Sequence, residues 1–88
     1  MLPAIGISSW ARAFVIENGG SAYLWTRPFA GGNWTVAASV TRPPDIEFEL
    51  HIDDGDVRVF IEERLPRVTR LGIHLRRFPR RELVAHGP

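Results

Sequence analysis

The sequence predicts an α+β fold in which a short N-terminal helix packs on a mixed or antiparallel sheet of about five strands. Three observations support this class. Apolar residues near the N-terminus recur with helical spacing, most of the later chain alternates with a period of two, and an Asp-Gly turn separates two alternating runs. A chain of 88 residues is the size of one small globular domain, residues 1–88.

The helix is predicted from apolar residues that would share one face: Ile7, Trp10, Ala11, Phe14 and Val15. Ser8 or Ser9 can cap its N-terminus, and the run Asn18-Gly19-Gly20 is typical of a helix end. A strand over residues 13–17 is the alternative, because two β-branched residues lie in that stretch.

Alternation of apolar and polar residues predicts strands over 22–27, 34–41 and 71–75. A last short edge strand is expected over 82–86, after Pro79 interrupts the preceding run.

A β-hairpin is predicted between residues 46–52 and 57–61, because Asp53-Asp54-Gly55-Asp56 contains the Asp-Gly signal of a tight turn. Regular alternation would point one set of side chains to the core: Ile46, Phe48, Leu50 and Ile52. The three aspartates lack the ligand spacing of an EF-hand, so we expect a solvated turn and no cation there.

Several kinds of chemistry are unlikely on composition. The chain has no cysteine, which excludes disulfides, thiolate nucleophiles and cysteine-ligated metals. His51, His74 and His86 lie far apart in sequence without metal-ligand spacing, and no serine sits in a nucleophile-elbow motif. We therefore predict no catalytic residues, no metal site and no cofactor.

Charge is strongly segregated along the chain. Residues 45–63 hold eight acidic residues and one arginine, whereas residues 64–88 hold seven arginines and one acidic residue. The candidate anion-binding or partner-binding site is a cluster of four arginines: Arg76, Arg77, Arg80 and Arg81. The alternative is a solvated strand end whose arginines pair with the acidic strands.

The order of segments resembles the A-type iron–sulfur carrier, or HesB-like, family: ISSWARAFVIENGG as helix, SAYLWTR as strand, PFAGGNW as glycine-rich loop, ELHIDDGDVRVFIEE as hairpin and LGIHLR as strand. That family holds its cluster with cysteines in the glycine-rich loop and near the C-terminus. Here the loop reads Ala30-Gly31-Gly32-Asn33 and the end reads VAHGP. The resemblance therefore implies the family's fold without its cluster.

These observations predict a non-catalytic binding or scaffold domain with a protein partner. An arginine-mediated nucleic-acid-binding module is the first alternative, and a small enzyme or enzyme subunit is the second. No stretch approaches the roughly 20 apolar residues of a membrane span, and no signal-peptide pattern occurs, so we expect a cytoplasmic protein that is not bound to membranes.

Overall fold

The computed structural model describes residues 4–28, 30–63, 65, 70–77 and 79–86. In chain order the elements are β1 (Ala4–Ile7), α1 (Ser9–Glu17), β2 (Ser21–Pro28), a 3₁₀ turn (Ala30–Gly32), β3 (Trp34–Ser39), β4 (Phe48–Asp53), β5 (Arg58–Glu62), β6 (Arg70–Arg76) and β7 (Glu82–His86). The predicted α+β class is confirmed. The prediction of one sheet with about five strands is wrong, because these strands form two sheets.

The first sheet has the order β1-β6-β7, and the second has the order β3-β2-β5-β4. Each sheet contains one parallel pair, β1 with β6 and β2 with β5, and its other neighbours are antiparallel. Alternation predicts that a segment is a strand but does not predict its neighbour, so the division into two sheets was not foreseen. Strand β1 was missed because Ile7 fitted the helical spacing equally well.

Helix α1 begins and ends at the residues that the sequence indicated, and residues 13–17 are helical. The Ser8 side chain accepts a hydrogen bond from the Ala11 amide at 3.2 Å, which satisfies one free N–H of the first turn. Asn18 is the C-cap. Two of the five residues assigned to the apolar face lie elsewhere: Ile7 is in β1, and Trp10 is 63 % exposed.

The core lies between the two sheets and α1. The buried apolar residues are Ala11, Val15, Ala22, Leu24, Val57, Val59, Ile61, Leu71, Ile73 and Leu83. The part of the chain that the structure describes buries no polar or charged residue in this core. Burial of apolar surface is therefore the main stabilising contribution.

The hairpin of β4 and β5 is confirmed, but the predicted inward direction of Phe48 and Leu50 is wrong. Leu50 pairs with Phe60, while Ile52 pairs with the adjacent Val59, so the register shifts by one residue between them. Such a β-bulge turns the side chains before it to the opposite face. Ile52 packs against the core, whereas Leu50 is 48 % exposed.

The hairpin turn is held by its own aspartates and by the helix. Asp54 accepts backbone hydrogen bonds from Asp56 at 3.1 Å and Val57 at 2.8 Å, and its Oδ2 lies 2.6 Å from the Arg12 guanidinium. The hydrogen bond from Arg12 and the two backbone amides hold the pKa of Asp54 at about 2, below its ordinary value of 3.8.

We expect acid to weaken this link. Because the pKa of Asp54 is lower in the folded chain, its stabilising contribution is complete above about pH 4 and is lost as pH falls towards about 2. The urea midpoint of the parent protein should therefore fall more steeply over this interval than that of Asp54→Asn. Parallel pH profiles for the two proteins would contradict the assignment.

Candidate anion-binding groove

The four predicted arginines divide into two pairs with different contacts. Arg77 lies over the ring of Trp10 at 4.9 Å, and Arg81 lies over Phe14 at 5.0 Å. Arg81 also donates to Glu17 at 3.1 Å. These two arginines therefore pack on helix α1, through cation–π contacts that sequence spacing did not indicate.

Arg76 and Arg80 are both next to Glu82 instead. The Arg76 guanidinium forms an ion pair with one carboxylate oxygen, and the Arg80 Nε lies 3.7 Å from the other. The Arg80 side chain is 84 % exposed, which leaves it able to contact a ligand. Part of the cluster thus pairs with an acidic residue, as the solvated-strand alternative proposed, but that residue is on β7 and not in the acidic hairpin.

A groove of about 420 Å³ runs along the boundary between the two sheets, where β3 faces β7. Its lining residues are Arg27, Thr35, Val36, Ala37, Ala38, Arg76, Arg80, Glu82, Leu83, Val84 and Ala85. Among the described lining residues, three arginines and one glutamate give a net charge of +2. We call this feature the arginine groove.

Arg27 is the residue of the groove that the sequence analysis missed. It pairs with Thr35 across β2 and β3, which directs both side chains to the same face of the sheet. The described residues include all ten acidic side chains, and none of them forms an ion pair with Arg27. Its guanidinium is therefore available to an external anion.

The second sheet carries aromatic side chains on the face away from the core. Tyr23 stacks on Phe60 with ring centroids 5.2 Å apart, and the Phe48 ring meets Tyr23 edge-on at 5.2 Å. Trp25 lies on the same face, since it is two residues beyond Tyr23 in β2. Helix α1 packs on the opposite face, beside Leu24. We call this outward surface the aromatic face.

An acidic depression lies at the β4 side of this sheet. A cavity of about 260 Å³ is lined by Asp45, Ile46, Glu47, Glu62 and Glu63. Glu62 is held there by Thr26, whose amide and hydroxyl donate to its Oε1 at 2.9 and 3.1 Å. We call this feature the acidic corner.

The structure brings two of the three histidines together. Antiparallel pairing of β6 with β7 places the His74 and His86 rings 5.1 Å apart. Across the described ranges, no group of three or more histidine, aspartate or glutamate side chains is placed to hold a metal ion.

None of the helices in the described part of the chain is both long and apolar enough to cross a membrane. Comparison of the chain with protein-family models, curated proteins and solved structures finds no match. The arginine groove, the aromatic face and the acidic corner are therefore the features that bear on function.

Proposed function

We propose that this protein is a non-catalytic binding domain that holds an acidic segment of a protein partner in the arginine groove. The observation that supports this is the convergence of Arg27, Arg76 and Arg80, which come from both sheets, on one groove. Side chains from separate elements that line one groove make a better binding site than arginines scattered along one strand end.

The chemistry of the groove suits a carboxylate ligand. A guanidinium presents N–H donors in a planar fork that matches a carboxylate. Glu82 already occupies this position in part, since its two oxygens lie next to Arg76 and Arg80. A ligand carboxylate between Arg27 and Arg80 would extend the same arrangement to the arginine that has no acidic partner.

The same groove is less suited to nucleic acid. Proteins that bind single strands combine basic residues with aromatic rings on which bases stack. Among the residues that the structure describes, no aromatic side chain lines the arginine groove. The described part of the groove thus offers the nucleic-acid-binding alternative arginines but no stacking platform. No observation on the described residues favours the small-enzyme alternative.

We also propose that the fold is HesB-like and has no cluster. The proposal is supported by the succession of helix α1, strand β2, a glycine-containing turn and the hairpin of β4 and β5. Because the chain contains no cysteine, the proposed role is binding through the fold alone.

The proposal is tested with a fluorescein-labelled oligoglutamate peptide, followed by anisotropy. We expect Arg27→Gln to weaken peptide binding about tenfold, because a hydrogen bond to a charged group contributes roughly 1.5 to 3 kcal/mol. Arg58→Gln is the matched control. It removes the same charge from an exposed strand arginine that pairs with Asp53 outside the groove, and binding should be unchanged.

A second variant raises affinity instead of lowering it. Glu82→Gln removes the internal carboxylate from Arg76 and Arg80, so we expect it to bind the peptide several-fold more tightly. Equal effects of Arg27→Gln and Arg58→Gln on peptide affinity would contradict specific binding in the arginine groove. A labelled oligothymidylate that binds more tightly than the peptide, with a steep loss of affinity as salt is raised, would favour the nucleic-acid alternative.

A further inference from the structure

We infer that the acidic partner of the arginine groove is a second copy of this chain, which forms a two-fold symmetric dimer through the aromatic face. This inference deepens the proposed function and rests on it, because the acidic corner of one copy would supply the carboxylates that the groove of the other binds. The positions of apolar and charged groups on the second sheet support such a dimer.

The aromatic face has an apolar centre. Strand pairing places Ser39, Tyr23, Phe60 and Leu50 in one row across all four strands. Tyr23 and Phe60 form the middle of that row, and Leu50, at its β4 end, is 48 % exposed. Apolar and aromatic residues clustered on an exposed surface are typical of a protein–protein interface.

The two charged features lie at the same end of the strands but on opposite sides of the face. Arg27 lies near the C-terminal end of β2 and pairs with Thr35 of β3, which is the edge strand on that side. Glu62 is at the C-terminal end of β5, which runs parallel to β2, and Phe48 of β4 is its pairing partner. The acidic corner is therefore level with the arginine groove: Glu62 lies one strand away from Arg27, and Asp45 and Glu47 lie beyond it on the β4 side.

This arrangement is self-complementary under one symmetry operation. Consider two aromatic faces packed together about a two-fold axis that runs parallel to the strands, between β2 and β5. The rotation brings β4 of each copy opposite β3 of the other and keeps the ends of the strands level. The acidic corner of each copy then faces the arginine groove of its partner, twice in the dimer, as an isologous interface requires.

Charge separation on one face favours a second copy over an unrelated partner. A partner whose surface carries charge of only one sign would be attracted to one side of the aromatic face and repelled by the other. Arg42 lies near the acidic side, but it is positioned over the Phe48 ring at 5.5 Å and belongs to the aromatic cluster. A second copy satisfies the basic side, the acidic side and the aromatic centre together.

Sedimentation velocity over micromolar to millimolar protein concentration tests the dimer. We expect the parent protein to dimerise and Leu50→Lys to weaken the dimer at least about tenfold, because it places a charge at the β4 end of the apolar row, where β3 of the other copy packs. Trp10→Lys is the matched control, since Trp10 is also an exposed large apolar residue, at 63 %, but lies on helix α1. It should leave dimerisation unchanged.

Charge reversal tests how the two copies are oriented in the dimer. One variant carries Arg27→Glu with Arg80→Glu, and the other carries Glu47→Arg with Glu63→Arg. Each variant alone places like charges opposite each other at both contacts, so each should be monomeric. Their mixture restores opposite charges at both contacts, so the mixed sample should form a heterodimer. Circular dichroism of each variant confirms that it is folded.

The results distinguish this inference from the proposed function. A parent protein that stays monomeric at millimolar concentration, a Leu50→Lys variant that dimerises normally, or a mixture that does not associate would each overturn the dimer. Oligoglutamate binding by monomeric Leu50→Lys measures the groove separately. If that peptide binds while no dimer forms, the proposed function stands and the inference of a second copy fails.

Discussion

Replacing Gly20 by alanine is expected to lower the free energy of unfolding by about 3 kcal/mol or more. Gly20 has φ +88°, and a Cβ at this position would lie 3.0 Å from the Asp56 carbonyl oxygen. The backbone cannot easily move away, because the Gly20 carbonyl accepts a hydrogen bond from the Arg58 amide at 2.8 Å. The substitution therefore adds a steric clash to an unfavourable backbone conformation.

Gly19→Ala is the control that measures the free-energy cost of the left-handed backbone conformation alone. Gly19 also has a positive φ, +104°, but a Cβ there would meet no atom within 4 Å. We expect a loss of only about 1 to 2 kcal/mol from the left-handed conformation. Urea denaturation followed by tryptophan fluorescence measures both variants. If both variants lose the same free energy of unfolding, the close approach of a Cβ at position 20 to the Asp56 carbonyl does not contribute to the destabilisation.

Ile52→Ala is expected to lower the free energy of unfolding by about 2 kcal/mol, and Leu50→Ala by less than about 1 kcal/mol. The two residues are equivalent in a regularly alternating strand. The bulge in β4 makes them different, since Ile52 packs against the core and Leu50 lies on the aromatic face.

Both variants should be unfolded by urea at low micromolar concentration, so that self-association contributes little to the result. Similar losses for Ile52→Ala and Leu50→Ala would mean that β4 has no bulge and that Leu50 faces the core. The aromatic face would then lose one end of its apolar row, which makes this measurement an independent check on the surface used by the dimer.

Charged and apolar side chains that are exposed lie on different surfaces, the arginine groove and the aromatic face. The acidic hairpin and the arginine-rich end were predicted either to pair within the chain or to bind an external partner. The structure shows Arg81 with Glu17, and Arg76 with Glu82, so these two arginines pair with acidic residues outside the hairpin.

The sequence alone was sufficient for features that depend on neighbouring residues. Ser8 and Asn18 bound the helix because a cap needs only a side chain or backbone group within one turn of the chain. The turn at Gly55 and strands β2, β3, β6 and β7 were likewise predicted from local turn chemistry and from a period of two.

Only the tertiary structure decided which strands are neighbours and which side chains meet. The parallel pairs, the bulge in β4 and the approach of β3 to β7 depend on packing between residues far apart in the chain. For that reason Arg27 joins Arg76 and Arg80, while Arg77 and Arg81 turn to the helix. Local preference determines the type of each element, but its partners are selected by burial of apolar surface and by pairing of backbone hydrogen bonds over the whole chain.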